Sequence, residues 1–220
     1  MINWQPFNRP LDKIVAGNYD AYLKTWARGA KAYGKPLYIR LMPEMNGNWV
    51  PWNGNPTNFK NAWKKIVTLF RTEGATNVKW VWSVNTTDEP RTATNKMENY
   101  YPGSSYVDIL AIDGYNWGTS RTNTAWRSFV DTFKDSYTRI TKLGTTQPVW
   151  ITETASTELG GNKAEWIRTG FSTTAFPRLK MVVWFDENKE TDWRVNSSAA
   201  SLQAVKDELS PPAPLVVAGQ

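Results

Sequence analysis

Tyr38-Ile39-Arg40-Leu41-Met42-Pro43-Glu44 and Pro148-Val149-Trp150-Ile151-Thr152-Glu153 follow one plan, an apolar run closed by a glutamate. Each reads as a buried strand with a carboxylate at its C-terminal end, a position that is costly unless the charge is paired or used. Alternation along the first run puts Arg40 on the side of Glu44. Working outward, similar runs predict six strands, at about Ile2–Gln5, Leu37–Met42, Val78–Val84, Val107–Ile112, Val149–Thr152 and Met181–Phe185. Helical spacing predicts helices over Tyr19–Tyr33, Asn58–Arg71, Asn123–Lys142, Lys163–Thr174 and Ala199–Leu209, with a shorter one near Lys96–Tyr101. In the first helix Tyr22, Trp26, Ala30 and Tyr33 mark the expected buried face, and Gly34 ends it.

Strands alternating with helices, and nearly continuous apolar strands, indicate a parallel sheet covered by helices, either a barrel or a doubly wound sheet. No Gly-x-Gly-x-x-Gly follows the first strand and no phosphate loop occurs, which disfavours the nucleotide-binding version. Polar and aromatic residues gather instead just after the strands, at Glu44, Asn85, Tyr115, Glu153 and Trp184, where a (β/α)-barrel builds its active site. The expected organisation is one α/β catalytic domain over residues 1–209. Ser210-Pro211-Pro212-Ala213-Pro214 then opens a Pro-rich tail or linker over 210–220, which invites an additional module.

Composition narrows the chemistry. The 220 residues contain neither His nor Cys, which excludes Cys/His zinc sites, Ser-His-Asp and Cys-His nucleophile systems, and disulfides. Acid–base work falls to carboxylates, Lys or Tyr. The net charge is +6, but the basic residues are scattered without a tract or basic face, so nucleic acid is not an expected partner. No apolar run is long enough to span a membrane, and the start Met1-Ile2-Asn3-Trp4 lacks the regions of a signal peptide. Thirteen Trp, nine Tyr and eight Phe are many for this length, and several Trp stand beside Asn, Gly and Pro, as in Asn46-Gly47-Asn48-Trp49-Val50-Pro51-Trp52. Aromatic faces edged by amides and carboxylates suit sugar rings.

Two glutamates on one barrel rim can serve as the acid and the nucleophile of a glycosidase; either alone is as well explained by a salt bridge to Arg40. Asp186-x-Asn188-x-Glu190-x-Asp192 imitates the start of a calcium loop, but Thr191 stands where the Gly turn is needed, so no metal is expected. Asp88, Glu89 and Glu158 read as surface residues.

The stretch Arg40-Leu41-Met42-Pro43-Glu44-Met45-Asn46-Gly47-Asn48-Trp49-Val50-Pro51-Trp52 resembles the acid/base segment of glycoside hydrolase family 26, the β-mannanase family of a retaining (β/α)8 clan. Trp80-Val81-Trp82-Ser83-Val84-Asn85, Asp113-Gly114-Tyr115-Asn116-Trp117-Gly118, Ile151-Thr152-Glu153-Thr154 and the strand end at Trp184 extend the likeness from about Trp4 to Leu209. The resemblance implies Glu44 as acid/base, Glu153 as nucleophile, Tyr115 as a hydrogen-bond donor to that nucleophile, and Arg40 as support beneath the site. It implies Trp49 and Trp184 as sugar platforms, with Trp117 a weaker candidate, and Asn46 chiefly as a loop stabiliser. The implied activity is cofactor-free endo-hydrolysis of a β-linked polysaccharide, first of all β-1,4-mannan, in an extracellular setting inferred from the substrate. The alternatives are a β-1,3/1,4-glucanase or xylanase on the same scaffold, or a catalytically impaired polysaccharide-binding module. Two departures stand out. Pro43 occupies the place of a His that normally precedes the acid/base, which affects substrate preference. Trp4 corresponds to the end of the third family strand, so an incomplete barrel of about six strands is expected, with self-association through its open edges.

Overall fold

The computed structural model describes residues 1–143 and 146–210. The tail expected after Ser210 therefore lies outside the described residues. Strands β1 (Ile2–Trp4), β2 (Leu37–Leu41), β3 (Val78–Asn85), β4 (Ile109–Asn116), β5 (Val149–Ser156) and β6 (Leu179–Trp184) form one sheet in sequence order. Pairing is parallel between β1 and β2, β2 and β3, β3 and β4, and β5 and β6. A doubly wound sheet reverses its strand order midway, whereas sequential order is the winding of a (β/α)-barrel. The fold is thus an incomplete barrel of TIM type, ending at β1 and β6.

The helices are α1 (Leu11–Ala16), α2 (Asp20–Tyr33), α3 (Pro56–Thr72), α4 (Phe129–Thr141), α5 (Lys163–Phe171) and α6 (Ala199–Leu209). Helix α3 shows how local sequence sets an element. Asn55 caps it by accepting from the Asn58 N–H at 3.0 Å, and Pro56 fills a first-turn position that needs no N–H donor. Phe59, Ala62, Trp63, Ile66 and Phe70 recur at helical spacing and are buried. Truncating Phe70 to Ala would cost about 3–5 kcal/mol.

Several expectations need correction. Strand β4 begins two residues later than expected and runs four further, and β5 continues to Ser156. The added residues include Asp113, Asn116, Thr154 and Ser156, all buried, and polar residues in sequence read as strand ends. Helix α4 starts at Phe129 rather than Asn123, because Ser128 accepts from the Asp131 N–H and sets the start there. A 3-10 turn at Met97–Tyr100 replaces the short helix, and α1 was not foreseen.

Of the four residues expected to form the buried stripe of α2, Ala30 is buried and the three aromatics are not. Leu23, Ala27 and Ala30 are the buried positions, while Tyr22, Trp26 and Tyr33 are 53%, 40% and 57% exposed. Periodicity locates a stripe but not what covers it. Here Trp26 and Tyr33, with Ile2 and Leu37, line an apolar groove of about 450 Å³ beside β1, the end of the sheet.

The chain forms two compact units. The first comprises Met1–Gly114, Thr132–Thr154 and Phe176–Trp184, and the second Tyr115–Asp131, Ala155–Ala175 and, of the described residues, 185–210.

Candidate active site

In the first unit, β2 leads into a tight turn that presents Glu44. Met42 and Glu44 both take left-handed backbone conformations, with φ of 46° and 56°. For residues with a side chain this costs about 1–3 kcal/mol each and survives only where the surroundings enforce it. The enforcement is visible: Met42 N–H donates to the Trp4 carbonyl, Glu44 N–H to the Ser83 carbonyl, and Gly47 N–H to the Glu44 carbonyl, at 2.8–2.9 Å. Buried Trp52 donates its indole N–H to the Pro43 carbonyl at 2.7 Å. Asn46, fully buried, accepts from the Asn85 N–H and donates to the Asn85 carbonyl and to Asp88, each at 2.9 Å. Its place is that of a loop stabiliser, as expected.

The Glu44 carboxylate accepts from Asn85 Nδ2 at 2.8 Å on one oxygen and from the Trp49 indole N–H at 2.9 Å on the other. Trp49 is half exposed and lies across Gly47 so closely that a Cβ there would fall 2.3 Å from the ring. Only glycine fits beneath it.

Glu153, on β5, is held from below. Arg40 on β2 is 1% exposed, and its Nη1 donates to Glu153 Oε1 at 2.5 Å and to Asn3 Oδ1 at 2.9 Å, while Nη2 pairs with Asp113. Asp113 is fully buried and also accepts from Ser83 Oγ at 2.6 Å and Thr152 Oγ1 at 2.8 Å. The Ser83 and Thr152 hydroxyls themselves lie 2.8 Å apart. With Asp113 ionised, both hydroxyl protons point at it and the Ser83–Thr152 contact has no donor. A proton on Asp113 completes a ring in which Asp113 donates to Thr152, Thr152 to Ser83, and Ser83 back to Asp113. Electrostatics agree: burial raises the Asp113 pKa, Arg40 opposes this, and the charges of Glu44 and Glu153 raise it further. For Arg40, burial works against the charge, but Asp113 and Glu153 outweigh it and hold the guanidinium above its usual range. Two carboxylates thus pair with one arginine, and a third, Glu44, acts on Asp113.

Trp184 closes β6, its backbone in register with Thr154. In the second unit, Tyr115 packs against Trp193, Phe185 and Trp117, with ring centroids 5.1, 5.9 and 6.0 Å away. Arg121 lies 3.2 Å over the Trp117 ring, covering one of its faces. Among the described residues no cluster of three or more acidic side chains is arranged to hold a metal.

Sequence reading did not identify Asn3, Ser83, Asp113 or Thr152 as site residues. The available signal was that Ser83 and Asp113 each stand two residues before a flagged strand-end position, Asn85 and Tyr115, and so share its side of the strand. Two carboxylates read as surface are structural. Asp88 accepts from Arg139 at 2.7 Å and from the Met97 N–H at 2.9 Å, and Glu158 accepts from Ser197 and Ser201, each at 2.7 Å.

The profile described as Glycosyl hydrolase family 26 matches residues 8–173. Endoglucanase H of Acetivibrio thermocellus is 41% identical over 220 residues, covering 95% of this chain and 24% of that protein. A mannan endo-1,4-beta-mannosidase of Bacillus subtilis is 34% identical over 95 residues, covering 39% of this chain and 25% of its own length. The chain thus spans about a quarter of these curated relatives. Among solved structures, a Bacillus subtilis mannanase superimposes with a TM-score of 0.65 at 19% identity, covering 92% of this chain and 60% of the other. A modular endo-beta-1,4-mannanase from Cellulomonas fimi gives a TM-score of 0.63 at 17% identity, with 94% and 50% covered. These two likenesses concern the fold. With the profile spanning most of its length, the chain belongs to glycosyl hydrolase family 26.

Proposed function

We propose that the chain carries the centre of a retaining endo-glycosidase acting on a β-linked polysaccharide. The observation that carries this is the unlike setting of two glutamates whose charges both bear on Asp113. Glu153 faces a fixed cation, Arg40, which suits a nucleophile. Glu44 faces two neutral donors, Asn85 and Trp49, which suits a group that changes charge twice in each turnover. Glu44 donates its proton to the glycosidic oxygen as that bond breaks, and Glu153 attacks the anomeric carbon to form a glycosyl–enzyme ester. Glu44, now a carboxylate, takes a proton from water, whose oxygen displaces Glu153 and releases the sugar. Arg40 positions Glu153. Trp49 and Trp184 are the glycan contacts of the first unit, and Tyr115 and Trp117 those of the second. No metal or organic cofactor enters the scheme.

The first substrate reading is β-1,4-mannan, supported by the relatives named as mannan endo-1,4-beta-mannosidases. A second is β-glucan, favoured by two observations: the 41% identical relative is named an endoglucanase, and Pro43, next to Glu44, has no side-chain hydrogen bond to offer a sugar. Reducing-end release from mannan, glucomannan, lichenan and xylan decides between them. Polysaccharide retention without new reducing ends on any of the four would leave a binding module and end the hydrolase reading. Extracellular placement follows from a polymeric substrate. Self-association through the open sheet edges at β1 and β6, and a module beyond the Pro-rich tail, belong to the same proposal.

A further inference from the structure

Lys163 opens α5, the end of a helix where a cation meets the unfavourable pole of the backbone dipole, and its side chain is fully buried. Neither helix stability nor solvation explains it. The helix is already capped by Asn162, which accepts from the Glu165 N–H at 3.0 Å. What the ammonium does meet is the loop between β6 and α6. Nζ donates to the carbonyls of Arg194 at 2.7 Å, Trp193 at 3.3 Å and Asp192 at 3.4 Å, and to Ser197 Oγ at 2.8 Å. Three successive carbonyls turned toward one nitrogen fix the backbone around Trp193. The charged groups facing Lys163 are Glu158 before α5, and Asp186, Asp192 and Arg194 on the loop. Ser197 also donates to Glu158, tying the same loop a second time.

Trp193 is 1% exposed, and its ring meets Trp117 edge-on at 4.7 Å and Tyr115 at 5.1 Å. Its indole N–H is spent on Glu190 at 3.1 Å and its backbone N–H on the Glu187 carbonyl at 2.9 Å, so the side chain buttresses its neighbours and contacts no ligand. We propose that Lys163 is a positioning residue for glycan binding, which pins the loop so that Trp193 holds Tyr115 and Trp117 in the orientation a sugar chain meets. This rests on the reading that Tyr115 and Trp117 contact the glycan. Burial lowers the Lys163 pKa to about 8, with Glu158, Asp192 and Asp186 opposing, so the device weakens in mildly alkaline solution.

The test compares wild type, Lys163→Met and the milder Ser197→Ala on the best glycan of the panel. KM should rise at least tenfold in Lys163→Met and about threefold in Ser197→Ala, with kcat within threefold of wild type. The near-ultraviolet circular dichroism of the Trp117–Trp193 pair should fall in parallel. If Lys163→Met does not fold, Ser197→Ala and the wild-type rise in KM between pH 7 and 9 carry the test. An unchanged KM in a folded variant of an active enzyme overturns the proposal. A wild-type chain that neither cleaves nor binds any β-glycan overturns the functional reading instead. The dichroism then decides for the loop: a lost signal supports the pinning and an unchanged one refutes it.

Discussion

Replacing Arg40 with Met tests how the floor of the site is held. Arg40 and Asp113 are 1% and 0% exposed, so solvent does not screen their pairing. Removing one partner of a buried pair costs about 3–5 kcal/mol, because the other is left as an uncompensated charge. That is about a fifth or more of the stability of a typical domain. The loss should also depend on pH. The folded pKa of Asp113 is raised from 3.8 to about 7, so between those values the folded state holds a proton that the unfolded state has released. Stability from this group is therefore full below pH 4 and falls as pH rises through 7. Without Arg40 the pKa climbs further and the fall continues above 7. Urea unfolding followed by Trp fluorescence should give a loss of about 3–5 kcal/mol at pH 8 and a clearly smaller one at pH 5. The double variant Arg40→Met/Asp113→Asn should lose less than the sum of the singles by more than about 1 kcal/mol. A loss under about 1 kcal/mol at pH 8, or one equal at both pH values, would refute the reasoning.

Other outcomes follow from the same geometry. Glu44→Gln and Glu153→Gln should each reduce reducing-end release by about a thousandfold or more while melting temperatures stay near wild type, since no His is present to replace either group. Near-normal turnover in either folded variant removes that residue from its role. Gly47→Ala should push Trp49 off Glu44, because the added Cβ would sit 2.3 Å from the indole; kcat should drop about tenfold, and an unchanged kcat would free Trp49 of any part in holding Glu44. Lys163 provides a contrast of signs. Its folded pKa of about 8 lies below its unfolded value of 10.5, so its contribution to global stability rises between those pH values even as KM rises with it. Parallel loss of stability and affinity in Lys163-dependent fashion would contradict this.

Much of the fold was legible because the strands are apolar runs and each of the six predicted ones forms. The pairing of Arg40 with Glu153 was legible because a charge in or at the end of such a run needs a reason. Asp113, Ser83 and Thr152 were harder. Within a strand, a polar residue looks like a boundary, and only the folded hydrogen-bond ring shows why burial tolerates it. On α2 only Ala30 of the expected stripe is buried, because spacing defines a face without saying whether a sheet lies against it. Lys163 was unreadable for another reason: its acceptors are backbone carbonyls about thirty residues away, and a carbonyl leaves no trace in sequence.

The most direct measurement of the central claim is trapping of the glycosyl–enzyme with a 2-deoxy-2-fluoro glycoside matched to the preferred polysaccharide, followed by peptide mass mapping. The account predicts one added sugar on Glu153, absent in Glu153→Gln. A label on Glu44 or on any other carboxylate would contradict it.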